Sequence, residues 1–178
     1  MPVIWKWDSA SAGHHVPKNV LVKDWLPQND LLAHPNLKVF ITHVDQGSFQ
    51  ETLCHQKPVI AVPISGDQPV NAMEVKRLGI GIPLAINDWS KTNVYDALNN
   101  VLHDPKYTEA AKTVGSAMND QIDRPLDRAV WWIEHVMRHP TMYQGTSPVH
   151  KLTWYQYFLL DVILLCLGVM YILFKILR

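Results

Sequence analysis

Between residues 25 and 68, short apolar runs alternate with polar turns. The runs at 37–42 and 59–63 are brief, rich in β-branched residues and bounded by Pro, His and Gly. That is the pattern of strands buried on both faces of a parallel sheet. Between them, 47–54 reads as a helix starting at Gly47-Ser48, with Glu51 three residues after Ser48, which suits a capping box or a ligand-facing first turn. Strand, polar turn and helix start make an anion site, because free N–H groups and the positive end of the helix dipole face the turn.

The same patterning extends in both directions. Residues 3–7 and 20–23 alternate like strands, with a Ser/Ala/Gly/His/Pro loop over 8–18. Pro27 opens a short helix over 28–33. A helix over 68–78 closes at Gly79, and 79–84 reads as another strand. Three helices follow. The first starts at Ser90-Lys91, with Val94, Leu98, Val101 and Leu102 at helical spacing; the second runs over 105–121; the third starts at Pro125 and carries an apolar stripe of Ala129, Val130, Ile133, Val136 and Met137. Residues 141–153 form a polar linker.

The last stretch differs in kind. Residues 154–174 contain only Gln156 and Asp161 as strongly polar positions, and 162–174 carry no charge. About 20 apolar residues suffice to cross a bilayer, so a transmembrane helix is expected over 154–174, with 175–178 as a tail. The alternative is a buried core helix. Trp154, Tyr155 and Tyr157 suit one headgroup belt, and Lys175 and Arg178 anchor the other end. Asp161 lies near one end, so that it either reaches the interface or is protonated at modest cost.

Composition narrows the choice. A length of 178 residues allows one domain with an appendage. Sixteen basic residues balance sixteen acidic ones, so nothing points to nucleic acid. Cys54 and Cys166 fall in segments of different kind and are not expected to pair. The spacing of His34, His43 and His55 matches no standard zinc site, so no metal is expected. No Gly-x-Gly-x-x-Gly follows any strand, which weighs against a dinucleotide-dependent reductase. The first residues lack the apolar core of a signal peptide.

By themselves the candidate residues stay open between structure and chemistry. Trp25 is either a packing aromatic or a stacking face. His43 is either structural or a donor to an anion at the following helix. Glu51 and Asp67 are equally readable as helix caps. What joins them is position, near the strand ends of one sheet, where open α/β sheets bind ligands.

Taken in order, Trp25-x-x-Gln28, His34-Pro35, Phe40-Ile-Thr-His43, Ser48-x-x-Glu51, Pro58, Pro63 and Asp67-Gln68 resemble the signature of the membrane-bound UDP-glycosyltransferases. The segments 125–139 and 152–157 resemble the same family's C-terminal helix and pre-membrane segment. The resemblance implies an α/β fold: a Rossmann-like parallel sheet flanked by helices, the nucleotide-sugar-binding half of the GT-B fold, over 1–140, plus one C-terminal transmembrane helix. It implies UDP-sugar as donor, with no cofactor or metal, and a small lipophilic acceptor in the complete enzyme. Trp25 and Gln28 would contact the uridine, and His43, Gly47 and Ser48 the diphosphate. Glu51 would accept the ribose hydroxyls, and Asp67 and Gln68 would bind the hexose. It also implies an endoplasmic reticulum membrane location and possible oligomers with full-length relatives.

Two departures from the family pattern matter. Two small residues usually follow the His, whereas Val44-Asp45 stand here. Valine is poorly suited to a turn that needs positive φ, and the Asp45 carboxylate repels a diphosphate. Second, the family's catalytic base, a His held by an Asp in the acceptor-binding domain, matches no residue in this chain. The expectation is a donor half of an inverting transferase, inactive alone. The competing expectation is a non-catalytic membrane-anchored protein associating with full-length relatives. The side of the membrane depends on Met1: a true start there leaves the body in the cytosol, and a longer precursor places it in the lumen.

Overall fold

A computed structural model describes residues 1–8, 16–142 and 148–178. The predicted loop over 8–18 and linker over 141–153 therefore lie partly outside the described residues. The chain forms two compact units, residues 1–121 and 122–178.

The first unit holds two parallel sheets where the sequence pattern predicts one. β1 (Val3–Lys6) pairs with β2 (Val20–Lys23), Val3 opposite Val20. β3 (Phe40–Thr42), β4 (Val59–Ala61) and β5 (Gly81–Pro83) form the other, with β4 in the centre. Ile41 stands opposite Ile60, and Ile60 opposite Ile82. All three strands are shorter than the apolar runs that announced them.

Alternation along β4 explains the layering. Side chains of successive strand residues point to opposite faces. Val59 and Ala61 join Val44, Phe49, Leu53, Ala72, Val75, Ile80 and Ala111 in one buried cluster. That cluster takes residues from α2 (Gln46–Cys54), α3 (Gln68–Leu78) and α5 (Pro105–Asn119). Ile60 and Val62 turn the other way, to Leu84 and to Ala97 and Val101 of α4 (Lys91–His103). Both faces of the three-stranded sheet are thus covered, as a parallel sheet requires. α1 (Gln28–Ala33) contributes Leu32, almost wholly buried. A 3-10 turn at Ile86–Asp88, absent from the sequence reading, precedes α4.

Two glycines serve different needs, a left-handed turn and a close approach. Gly79 ends α3 in the left-handed region at φ 71°, the expected C-cap role. At Gly115 on α5, a Cβ would lie 2.3 Å from the Leu53 carbonyl oxygen, so α5 meets the end of α2 only because this residue has no side chain.

The second unit contains α6 (Pro125–Arg138), 3-10 turns at Pro140–Met142 and Pro148–Lys151, α7 (Trp154–Tyr157) and α8 (Leu160–Leu177). On α6, Trp131 stacks on His135 at 4.7 Å and meets Trp132 edge-on at 4.8 Å. The predicted continuous helix over 154–174 is broken. Leu159 takes φ 56°, which ends the single turn of α7, and α8 then runs on to Leu177. α8 is long and apolar enough to cross a membrane. At 1.5 Å per residue its 18 residues span about 27 Å.

Candidate functional site

His43, Gly47, Ser48 and Glu51 follow β3 into α2, Asp67 and Gln68 follow β4 into α3, and Gln28 lies on α1. From α1, the Gln28 amide donates to Glu51 Oε2 at 2.7 Å and to Ser48 Oγ at 3.2 Å. Gln28 on α1 therefore joins Ser48 and Glu51, 20 and 23 positions later on α2, in one polar cluster. Trp25, which leads from β2 towards α1, is 73% exposed, a flat face open to solvent.

The start of α2 differs from the expectation. The helix begins at Gln46, with Asp45 as its N-cap: Asp45 Oδ1 accepts from the Ser48 N–H at 2.9 Å. Of the two readings of Ser48 and Glu51, a capping box or a ligand-facing first turn, the capping box does not form. The Ser48 hydroxyl is in the Gln28 cluster, and Glu51 is held by Gln28. The reason is local. Asp is among the strongest N-capping residues, and placed three residues before Ser48 it outcompetes a later start. Gly47 lies exposed in the first turn, and Ser48 is buried.

Val44 sits at φ 59° and is fully buried. A β-branched residue in the left-handed region is strained. Three interactions hold it there. Its side chain packs in the cluster with Phe49 and Val59, its N–H donates to Thr42 Oγ1 at 3.1 Å, and its carbonyl accepts from Asn71 Nδ2 at 3.0 Å. His43 is half-exposed, with Nε2 3.6 Å from Asp45 Oδ2. The Asp45 carboxyl is held below the usual range by hydrogen bonds from the Ser48 hydroxyl and then the Ser48 N–H, with the His43 ring adding attraction.

Asp67 precedes α3 but makes no side-chain cap to it. Its Oδ2 instead accepts from the Gln46 N–H of α2 and from Asn71 Nδ2, both at 3.0 Å. Gln68 folds its amide oxygen back onto the Ile64 and Ser65 N–H groups, at 2.7 and 3.0 Å. Asn71 and Thr42 were missed in the sequence. The available signal was a polar residue one helical turn after Asp67, on the face that carries Ala72 and Val75. Of the histidines considered for a metal, Nδ1 of His34 accepts from the Asn36 N–H and His55 bonds Asn29 at 2.6 Å. No group of three metal-ligating side chains occurs among the described residues.

The family described as "UDP-glucoronosyl and UDP-glucosyl transferase" matches residues 1–178. The chain belongs to this family. The UDP-glucuronosyltransferase 2B14 of Oryctolagus cuniculus is 40% identical over 161 residues, which cover 90% of this chain and 30% of that protein. The chain spans about 30% of the length of the curated relatives it matches. Among solved structures, the glycosyltransferase VinC in complex with DTDP superposes with a TM-score of 0.63 at 18% identity, over 67% of this chain and 30% of that one. Os79 from O. sativa, in complex with UDP and deoxynivalenol-3-glucoside, gives 0.59 at 23% identity, over 65% and 30%. These likenesses show the fold, that of GT-B glycosyltransferases. Within this UDP-glycosyltransferase chain, His43, Ser48 and Glu51 fall at the first strand-to-helix corner, Asp67 and Gln68 at the second, and Gln28 on α1.

Proposed function

We propose that this chain is the donor-binding half of a membrane-anchored UDP-glycosyltransferase, which in complete form passes a hexose or glucuronic acid from a UDP-sugar to a small lipophilic acceptor with inversion. The observation that carries the reading is the Gln28–Ser48–Glu51 cluster, with the exposed Trp25 three residues before Gln28 in the chain. The indole offers a stacking face to uracil. Gln28 fixes the Glu51 carboxylate, leaving its second oxygen to accept a ribose hydroxyl. His43 and Gly47 border the diphosphate position, with the Ser48 hydroxyl behind them, and Asp67 and Gln68 border that of the hexose. α8 anchors the chain in the endoplasmic reticulum membrane.

Inverting transfer needs a base within hydrogen-bond reach of the acceptor hydroxyl. No residue of this chain matches the family's base, so the chain alone is expected to transfer no sugar. A second reading, a non-catalytic partner of full-length relatives, is favoured by Val44-Asp45 at the diphosphate position.

The test is titration of the full chain in detergent micelles with UDP-glucose and UDP-glucuronic acid. Saturable binding is expected, weakened by about 1–3 kcal/mol in Trp25→Ala, the worth of one base–aromatic stack, and unchanged in Trp154→Ala. Equal loss in both variants, or no saturable binding, removes the donor-site reading.

A further inference from the structure

The corner between β3 and α2 has the backbone of an anion cradle, but the chain fills it from within. A helix start attracts negative charge through its free N–H groups and dipole. Here Asp45 takes the Ser48 N–H, and Asp67 takes the Gln46 N–H. Two carboxylates thus occupy two of the three first-turn donors. His43, which borders the same corner, faces Asp45 Oδ2 at 3.6 Å. Val44 cannot open the turn by relaxing, because its side chain is buried and its carbonyl is tied to Asn71.

We propose that Asp45 is a specificity-determining residue. It supplies from inside the chain the negative charge that the start of α2 attracts, so the site recognises its nucleotide by the uridine and sugar ends and draws nothing from the diphosphate. The proposal rests on the donor-site reading. A diphosphate at this corner meets a carboxylate, and like charges at close range repel. Swinging Asp45 aside would cost α2 its cap. Protonation offers no escape at neutral pH, since the Ser48 hydrogen bonds and His43 keep the carboxyl ionised.

The test compares uridine with UDP, on the full chain in detergent micelles, for the native protein and Asp45→Asn. Asparagine caps helices as well as aspartate, so the change removes charge and keeps the helix start. Native chain is expected to bind UDP no more tightly than uridine. Asp45→Asn is expected to raise the UDP-to-uridine affinity ratio about tenfold, which corresponds to 1.4 kcal/mol, with uridine affinity unchanged. A native ratio already above about tenfold, or a ratio unmoved by Asp45→Asn while uridine still binds, overturns the role of Asp45 and leaves the donor site standing. Failure of uridine to bind either protein overturns both.

Discussion

The two corners of the three-stranded sheet are built from similar parts and wired differently. Each joins a strand to a helix, and each has an aspartate just before the helix. Asp45 serves its own helix, through a bond spanning three residues. Asp67 serves the other corner, reaching back across 21 residues to the first N–H of α2. Asn71 completes the brace by holding both Asp67 and the Val44 carbonyl. One corner is therefore a local cap and the other a tie between two helices. A local cap is replaceable by any side chain that accepts a hydrogen bond. A tie depends on both partners at once.

Breaking the tie at its centre has the largest expected effect. Asn71→Ala removes both bonds and leaves the Val44 carbonyl buried without a donor. An unsatisfied buried group costs about 1–3 kcal/mol, and loss near the top of that range is expected in the urea midpoint of the full chain in detergent. A loss no larger than that of an exposed substitution would show that the corners are independent.

Val44 comes next and tests whether strain is stored in the tie. A fully buried valine contributes about 1.5–3 kcal/mol. Relief of the left-handed conformation returns about 1–2 kcal/mol, reduced by the extra chain entropy of glycine, about 0.5–1 kcal/mol. Val44→Ala loses packing and keeps the strain, because the strain comes from Cβ. Val44→Gly is therefore expected to destabilise no more than Val44→Ala, although it removes more atoms. A markedly less stable glycine variant would mean that the turn is not strained.

A double-mutant cycle sharpens the contrast further. Asp67→Ala and Asn71→Ala share a hydrogen bond, so their effects should fail to add by about 0.5 kcal/mol or more. Asp45→Ala should cost about 1 kcal/mol as a lost cap and add to Asn71→Ala within the error of measurement. Coupling of equal size in both pairs would erase the distinction between cap and tie.

Much of this was legible in the chain, and the failures share a cause. Period and punctuation predict all five strands and the helices from α1 to α6, because apolar alternation, short apolar runs and Pro or Gly boundaries are local signals. Gly79 as a C-cap is legible for the same reason. The start of α2 was misplaced because Asp45 was weighed as a charge near a ligand and not as a cap. The division into two sheets, the bonds from Asp67 to Gln46 and from Asn71 to Val44, and the reach of Gln28 to Glu51 all join residues 20 or more positions apart. No periodicity carries that information. The break at Leu159 is local, yet hydropathy alone cannot find it, since both sides are apolar.

The smallest expected effect concerns acid. The Asp45 carboxyl lies below its ordinary value of 3.8 in the folded chain, chiefly through its bonds from Ser48. A carboxyl depressed on folding stabilises the folded state above its unfolded value, and that contribution is lost as pH falls through the folded value. Glu74, bonded by Arg77, and Asp104, bonded by Lys106, are depressed as well and act in the same window. Acid unfolding of the native chain alone cannot separate the three. Asp45→Asn can, because asparagine keeps the cap and does not titrate, while the other two remain in both proteins. At neutral pH the variant is expected to be less stable by no more than about 1 kcal/mol, since Asp45 is half-exposed and solvent screens its charge. That gap should begin to shrink as pH falls below about 5 and go on shrinking as pH falls through the folded value, which lies below 3.8, read as the difference in urea midpoints. A constant gap across the range would assign the worth of Asp45 to hydrogen-bond geometry alone. In that case its charge would contribute nothing to the stability of the α2 corner.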